Sequence, residues 1–211
     1  MFLFTRTVSM TGDPRQCRAV ATATAEMVGR KTGLSLSLWS VFQGDALGTL
    51  AFTTMVQSMT EFYATTSSLL EDDEYLARLA EMRPLSAGPP VDQALEILHT
   101  SGGDYRRAGT GAVASLITAE IGNARFADAL DWSVGMADMV ADIIGRAVMF
   151  GRGVAGAFGS VGWVVTQPDM PTFEAAEEAL AKDPRYITKL DGMGDLFVAG
   201  SGRRMLSSRI A

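Results

Sequence analysis

The sequence has little of what several common kinds of functional site require. Its 211 residues include one cysteine, Cys17, and one histidine, His99. A single cysteine excludes an intrachain disulfide and fits a reducing compartment. With one residue of each type there is no Cys/His spacing for a metal site, and neither a P-loop nor a Ser/His/Asp order occurs. The sequence therefore predicts no metal and no cofactor held by a recognised motif.

Positive charge and long uncharged apolar runs are also scarce. The formal net charge is −6, which gives no basic surface for nucleic acid or anionic lipid. The most apolar region, residues 139–165, is interrupted by Asp142, Arg146 and Arg152, so it is too short for a membrane span. The first residues lack the basic and then apolar pattern of a secretory signal. We therefore expect a soluble, cytoplasmic protein with no nucleic-acid or membrane partner.

What the sequence does contain is an internal repeat. Residues 48–82 align without a gap with residues 159–193, a shift of 111 positions (159 − 48). Nine of the 35 aligned columns are identical, whereas average residue usage would give roughly two or three by chance. The identical residues are Gly48, Met59, Phe62, Ala64, Leu69, Asp72, Tyr75, Leu79 and Met82, each with its counterpart 111 positions further on. The repeat indicates two similar units.

Each half has the residue pattern of a βαββαβ unit. In the first half, alternation over residues 2–9 predicts a strand, and Asp13-Pro14 predicts a helix start. Ser58 and Asp72 are placed to cap two further helices, and a last strand is predicted at about 92–100. The second half repeats the order, with its last strand predicted around 195–198 and a candidate continuation at 204–208. The predicted units are 1–103 and 104–211, joined by a short polar linker at 101–104.

This pattern resembles the dimeric α+β barrel superfamily. Besides the ferredoxin-like order, the match includes an Asp-x-x-Tyr-x-x-x-Leu segment in each half. The two segments are Asp72, Tyr75, Leu79 and Asp183, Tyr186, Leu190. The superfamily includes antibiotic-biosynthesis monooxygenases, haem-degrading monooxygenases and the two-domain NIPSNAP-like proteins. The resemblance implies an α+β fold in which two tandem ferredoxin-like units pair their antiparallel sheets into a barrel, here within one chain. Trp39 and Trp163 are suitable residues to fill the space between the paired sheets.

The resemblance implies that the barrel binds a small apolar or aromatic molecule. The expected reaction is cofactor-independent oxygenation, or cyclisation or isomerisation, of an aromatic or polyketide-like substrate. His99 is then the candidate general base. The candidate substrate-binding residues are Trp39, Trp163, Tyr63 and Arg6. Two alternatives stay open: a haem-binding or haem-degrading protein with His99 as axial ligand, and a non-catalytic ligand-binding or assembly protein. Whichever function holds, a homodimer of the fused barrel also stays open.

Two further patterns concern backbone and charge. Residues 151–156 have the G-x-G-x-x-G spacing, but they lie in a predicted hairpin rather than in a strand-to-helix turn. The glycines therefore favour a close backbone approach over a dinucleotide site. Asp92 and Glu96 alternate on the first unit's last strand, where they are candidate partners for strand arginines such as Arg6 and Arg152.

Overall fold

The strands close into an eight-stranded antiparallel barrel. The structure, a computed structural model, describes residues 1–102 and 108–211. The order around the barrel is β1-β3-β2-β8-β5-β7-β6-β4, and β4 closes on β1. The strands are β1 (Phe2–Ser9), β2 (Ser37–Gln43), β3 (Thr49–Val56), β4 (Val91–Ser101), β5 (Val113–Glu120), β6 (Val148–Gly153), β7 (Ser160–Gln167) and β8 (Arg203–Arg209). The helices are α1 (Pro14–Thr32), α2 (Met59–Ser67), α3 (Asp73–Met82), α4 (Phe126–Ile144), α5 (Met170–Lys182) and α6 (Pro184–Asp191).

The two halves of the barrel are copies of one ferredoxin-like unit. Strands β1 and β5 begin 111 positions apart (113 − 2), and so do β3 and β7 (160 − 49). Helices α1 and α4 begin 112 positions apart (126 − 14), and each ends at a left-handed glycine, Gly33 or Gly145. Strand pairs β2–β8 and β4–β6 join the units into one barrel. The predicted α+β fold is confirmed.

The short helices begin where their capping residues predicted. The Ser58 side chain accepts a hydrogen bond from the backbone N–H of Glu61 at the start of α2. At the equivalent starts of α3 and α6, Asp72 and Asp183 accept backbone N–H bonds in the same way. Such caps satisfy N–H groups that the first turn of a helix leaves unpaired, so they place helix starts from local sequence alone.

Along each strand, side chains point alternately into the barrel and towards the helices that cover its outer face. Leu38 and Phe52 pack in the core beneath α1, so Trp39, the next residue along β2, points into the barrel. There its Nε1 donates a hydrogen bond to the Thr53 hydroxyl at 2.9 Å. Leu95 also lies inside the barrel, where its Cδ1 is 2.9 Å from the position of a Cβ added to Gly162. Trp39 therefore lies between the paired sheets, where it was predicted, and its role in substrate binding stays a prediction, since it lines neither of the two large cavities.

The prediction that Trp163 fills the space between the paired sheets is wrong. It lies on the outer face of β7, where it packs with the core beneath α4, and its Nε1 donates to the Ser133 carbonyl of α4 at 3.3 Å. Both faces of β7 are largely buried, so hydrophobic character did not tell which way Trp163 points.

The last strand of the second unit lies in the later of its two predicted segments. Strand β8 spans Arg203–Arg209, which agrees with the continuation predicted at 204–208, whereas residues 195–198 are not part of it. The earlier segment runs over the end of β5, to which it is joined by the Ile121–Phe197 bridge. The predicted unit boundary at 103/104 lies outside the described residues. Within the two described ranges, we find no helix with the length and apolar content needed to cross a membrane.

Candidate functional site

Two large cavities occupy equivalent places in the two units. The second-unit cavity, of about 910 Å³, lies between the outer face of β5 and β7 and the helices α4, α5 and α6. The first-unit cavity, of about 820 Å³, lies between the corresponding strands of the first unit and α1, α2 and α3. Both therefore lie outside the barrel, beneath the helices. The expectation of a pocket between the two sheets is corrected accordingly.

An aromatic wall lines the second-unit cavity. Trp132 of α4, Trp163 of β7 and Phe197 of the segment before β8 meet edge to face, with ring centroids 5.5–6.4 Å apart. The two indole N–H groups are already satisfied by the carbonyl oxygens of Lys189 and Ser133. With their polar edges paired, the rings offer apolar surface to whatever enters the cavity.

A polar corner faces this wall. Arg204 of β8 donates two hydrogen bonds to the Glu177 carboxylate of α5, both at 2.6 Å. Its Nε donates to the Ser115 hydroxyl at 3.0 Å, and its guanidinium lies 5.6 Å from the Phe173 ring centroid. Burial, followed by the nearby Glu177 charge, raises the pKa of Tyr186 above its ordinary value. The corner thus contains a neutralised ion pair and a phenol that stays protonated at neutral pH.

Gln167, at the end of β7, is a lining residue of the second-unit cavity whose side-chain oxygen is covered by protein atoms and has no partner. Its side chain is 2% exposed, and no group among residues 1–102 and 108–211 bonds its buried Oε1. A buried amide oxygen without a partner costs about 1–3 kcal/mol. Thr54 and Thr166 also have a buried unpaired hydroxyl, but neither lines a cavity. Sequence reasoning missed Gln167, although a polar residue in line with Val161, Trp163 and Val165 was a readable signal.

Arg6 and Tyr63 belong to the first-unit cavity. Arg6 donates two hydrogen bonds of 2.7 Å to Asp92, the partner that the sequence predicted, and this pairing raises the pKa of Arg6. Phe4 lies beside it, with the Phe62 ring centroid 4.5 Å away. Tyr63 lines the rim and is 75% exposed. The structure therefore separates these two residues from Trp163, with which they were predicted to form one site.

His99 lines neither cavity. Its Nε2 lies 2.8 Å from Oδ1 of Asp138 on α4, and the Ser101 hydroxyl donates to the same oxygen at 2.7 Å. The bond to His99, followed by that to Ser101, lowers the pKa of Asp138. These contacts tie β4 of the first unit to α4 of the second. The catalytic role of His99 stays a prediction, and its place does not fit an axial ligand to haem bound in either cavity.

The glycine-rich hairpin strand makes the predicted close approach. A Cβ added to Gly151 would lie 2.6 Å from the backbone oxygen of Glu96 on the neighbouring strand β4. On the same pair of strands, Arg152 donates to Glu96 at 2.6 Å, as the sequence predicted. Among the described residues, no three His, Cys, Asp or Glu side chains are grouped to hold a metal ion.

Comparison with known proteins identifies the fold of this chain but not its reaction. No protein-family model matches the chain, and no curated protein is significantly similar to it. A proposed monooxygenase from Fusobacterium nucleatum superposes with a TM-score of 0.74 at 9% identity, over 100% of this chain and 92% of that one. An anthrone oxidase-like protein gives 0.64 at 14%, over 100% and 92%. A mutant chlorite dismutase from Candidatus Nitrospira defluvii gives 0.57 at 9%, over 100% and 91%.

These identities show the fold alone. The closed barrel, the repeated βαββαβ units and the superpositions agree over the described chain. This chain has the dimeric α+β barrel fold, with both ferredoxin-like units in a single polypeptide.

Proposed function

We propose that the second-unit cavity binds a small, flat and largely apolar organic molecule and oxidises it with molecular oxygen, without a metal or an organic cofactor. The observation that carries the proposal is the aromatic wall of Trp132, Trp163 and Phe197, which faces a compact polar corner in a cavity of about 910 Å³. Cavities of roughly 300–1,000 Å³ that are mostly apolar and have few polar groups are typical of small-molecule sites.

The reaction that fits this lining converts an activated methylene group, between two aryl or carbonyl groups, into a carbonyl. One oxygen atom of O₂ enters the product, and the other leaves as water with the two methylene hydrogens. The first methylene proton passes to the Glu177 carboxylate, which lines the cavity, and this leaves the Arg204 guanidinium free to stabilise the resulting enolate together with the Tyr186 hydroxyl. The oxidase and monooxygenase names among the structural neighbours support this reaction class.

Anthrone is a suitable probe because it is flat, apolar and has one activated methylene. We expect the protein to consume oxygen with anthrone and to form anthraquinone, measured with an oxygen electrode and by absorbance. Ala137→Leu, on the α4 side of the second-unit cavity, should abolish turnover by filling the space. The matched change Ala25→Leu fills the first-unit cavity from α1 (137 − 112 = 25) and should leave turnover intact.

Two results would contradict the proposal. If Ala25→Leu abolishes turnover while Ala137→Leu does not, with both variants folded by circular dichroism, the active cavity is in the first unit. If anthrone binds without oxygen uptake, the alternative of a non-catalytic ligand-binding protein is favoured. The homodimer also stays a prediction, and light scattering of the purified protein tests it.

A further inference from the structure

We propose that the first-unit cavity is a second, separate binding site, which takes an amphipathic carboxylate: a small molecule with one anionic group and an apolar body. The anionic group binds Arg83, and the apolar body fills the space between the sheet and the helices α1, α2 and α3. This site is not the cavity of the proposed function, so either can fail without the other.

The charges that line the first-unit cavity have a positive balance, although the protein as a whole has a net charge of −6. Among the described lining residues, two are cations and one is an anion: Arg6, Arg83 and Asp92. A concave surface with excess charge of one sign attracts a ligand of the opposite sign. The lining therefore favours an anionic group on the ligand.

Arg83 supplies the charge that is not already neutralised. Arg6 is bonded to Asp92 by two hydrogen bonds of 2.7 Å, so these two charges cancel. The Arg83 guanidinium has no ion pair or hydrogen bond with any group in the part of the chain that the structure describes. Glu81, the acid next to it along α3, is bonded to Arg78 instead. A guanidinium with free N–H groups can bind a carboxylate through two parallel hydrogen bonds.

The rest of the lining suits an apolar body. Phe4 of β1 and Phe62 of α2 lie with their ring centroids 4.5 Å apart, and Phe52 of β3 lines the same cavity. The volume of about 820 Å³ is within the range of small-molecule sites. Because Arg83 directly follows the last residue of α3, the cation is at the edge of this apolar space.

Large apolar side chains are also exposed where they line this cavity. Tyr63, Leu70 and Leu79 belong to its lining, and each is exposed to solvent. In the second unit, the residues equivalent to Tyr63 and Leu70 are Glu174 and Ala181, each 111 positions further on. Grouped exposed apolar side chains are typical of a surface that contacts an apolar molecule. The first unit has such a group at positions where the second does not.

The repeat allows the first-unit site to be measured alone. Ala137→Leu fills the second-unit cavity, so the binding that remains reports on the first. Ala25→Leu fills the first-unit cavity in turn. The residue equivalent to Arg83 is Gly194 (83 + 111), which lines the second-unit cavity but has no side chain. Arg83→Gln therefore removes a charge that only the first-unit cavity has at this position.

The experiment compares 2-naphthoate with 2-naphthamide, two probes of similar shape that differ in charge at pH 7. We expect isothermal titration of the Ala137→Leu protein to show about 5- to 20-fold tighter binding of 2-naphthoate at low salt. This preference should shrink at high salt, because salt screens an exposed charge. Adding Arg83→Gln should make the two affinities equal. Arg83→Lys keeps the charge without the planar fork, so it should keep part of the preference.

Three results would overturn the proposed site, with every variant shown to be folded by circular dichroism. These are equal binding of the two probes to Ala137→Leu, a preference that survives Arg83→Gln, and binding that survives the further change Ala25→Leu. Should Ala137→Leu not fold, titration of the wild type and of Arg83→Gln gives the same comparison, because Arg83 does not line the second-unit cavity.

The outcomes also separate this site from the proposed function. If 2-naphthoate binds as expected but anthrone is not oxidised, the catalytic proposal alone fails. If anthrone is oxidised but 2-naphthoate is not preferred, the carboxylate site alone fails.

Discussion

The two cavities share their helical side and differ on their sheet side. Five of the nine residues that are identical in the repeat line both cavities. These are Phe62, Leu69, Tyr75, Leu79 and Met82 in the first unit and Phe173, Leu180, Tyr186, Leu190 and Met193 in the second. The strand positions have diverged instead: the first unit has Phe4, Arg6 and Phe52 where the second has Ser115, Ile117 and Trp163. The lining is therefore more alike on the helices than on the strands, where the two units differ in size, polarity and charge.

The two cavities also differ in which elements contribute the partners of their arginine–carboxylate pair. In the first unit, Arg6 and Asp92 lie opposite each other on adjacent strands, so their pair stays within the sheet. In the second unit, the equivalent strand pair is Ile117 and Arg204, and Arg204 reaches up to Glu177 on α5. Arg6 of the first unit also interacts with the phenol of Tyr75 on α3. Both arginines therefore connect the sheet to a helix, and only in the second unit is that connection an ion pair between the two.

The largest expected effect in this comparison comes from truncating the aromatic wall. Trp163→Ala should lower the free energy of unfolding by about 3 kcal/mol, because it removes a large side chain from a packed site, and it should abolish ligand binding. The matched change Phe52→Ala should cost about the same stability (163 − 111 = 52) and leave binding intact. Urea denaturation and titration with 2-naphthol measure the two effects. Loss of binding in Phe52→Ala alone would assign the ligand to the first unit.

An intermediate effect is expected from Gly151, which lies where the units differ inside the barrel. In the first unit, Trp39 of β2 is paired with Ala51 of β3. In the second unit, Gly151 of β6 is paired with Gly162, the residue equivalent to Ala51. Gly151 therefore occupies the position that Trp39 has in the first unit. Gly151→Ala should destabilise the protein by about 1–3 kcal/mol, because its Cβ would lie 2.6 Å from the Glu96 backbone oxygen.

The control for that change is Gly88→Ala, since an added Cβ there meets nothing within 4 Å. Thermal or urea denaturation of both variants measures the effect. Equal stability of the two variants would mean that β6 moves freely away from β4, against the close approach at Gly151.

The smallest expected effect concerns the His99–Asp138 contact, which lies outside both cavities. Asp138→Asn should lower stability by less than about 1 kcal/mol at pH 7, because the pair is largely exposed. Since folding lowers the pKa of Asp138, its contribution is present above the ordinary carboxyl pKa and is lost as pH falls through the lowered one. Below about pH 4, the stabilities of wild type and Asp138→Asn should therefore converge.

His99→Gln extends this test to the predicted catalytic role. Because His99 lines neither cavity, we expect the variant to keep anthrone oxidation at the wild-type rate, measured by oxygen uptake. A large loss of turnover without a loss of fold would instead support His99 as the general base.

Local and periodic features of the fold were predictable from the sequence. The 111-residue repeat is visible in the sequence itself, and the caps at Ser58, Asp72 and Asp183 depend on residues near in sequence. A helix cap follows from short-range geometry, so a single sequence is enough to place it.

The candidate site was not predictable in the same way. A strand whose two faces are both buried gives no sign of which face meets the helices, so Trp163 was assigned to the barrel interior. The position of β8 depends on its pairing with β2 and β5, which are distant in sequence. Whether Gln167 has a partner depends on every group that folding brings within about 3.5 Å of its oxygen.

The sequence by itself thus determined that two similar units exist and where most of their helices begin. Tertiary structure alone decided that the cavities lie beneath the helices and that Gln167, which lines one of them, has a buried oxygen without a partner. The physical reason is that helix starts and strand alternation are set by neighbouring residues, whereas the lining of a cavity is set by side chains that meet only after the barrel has closed.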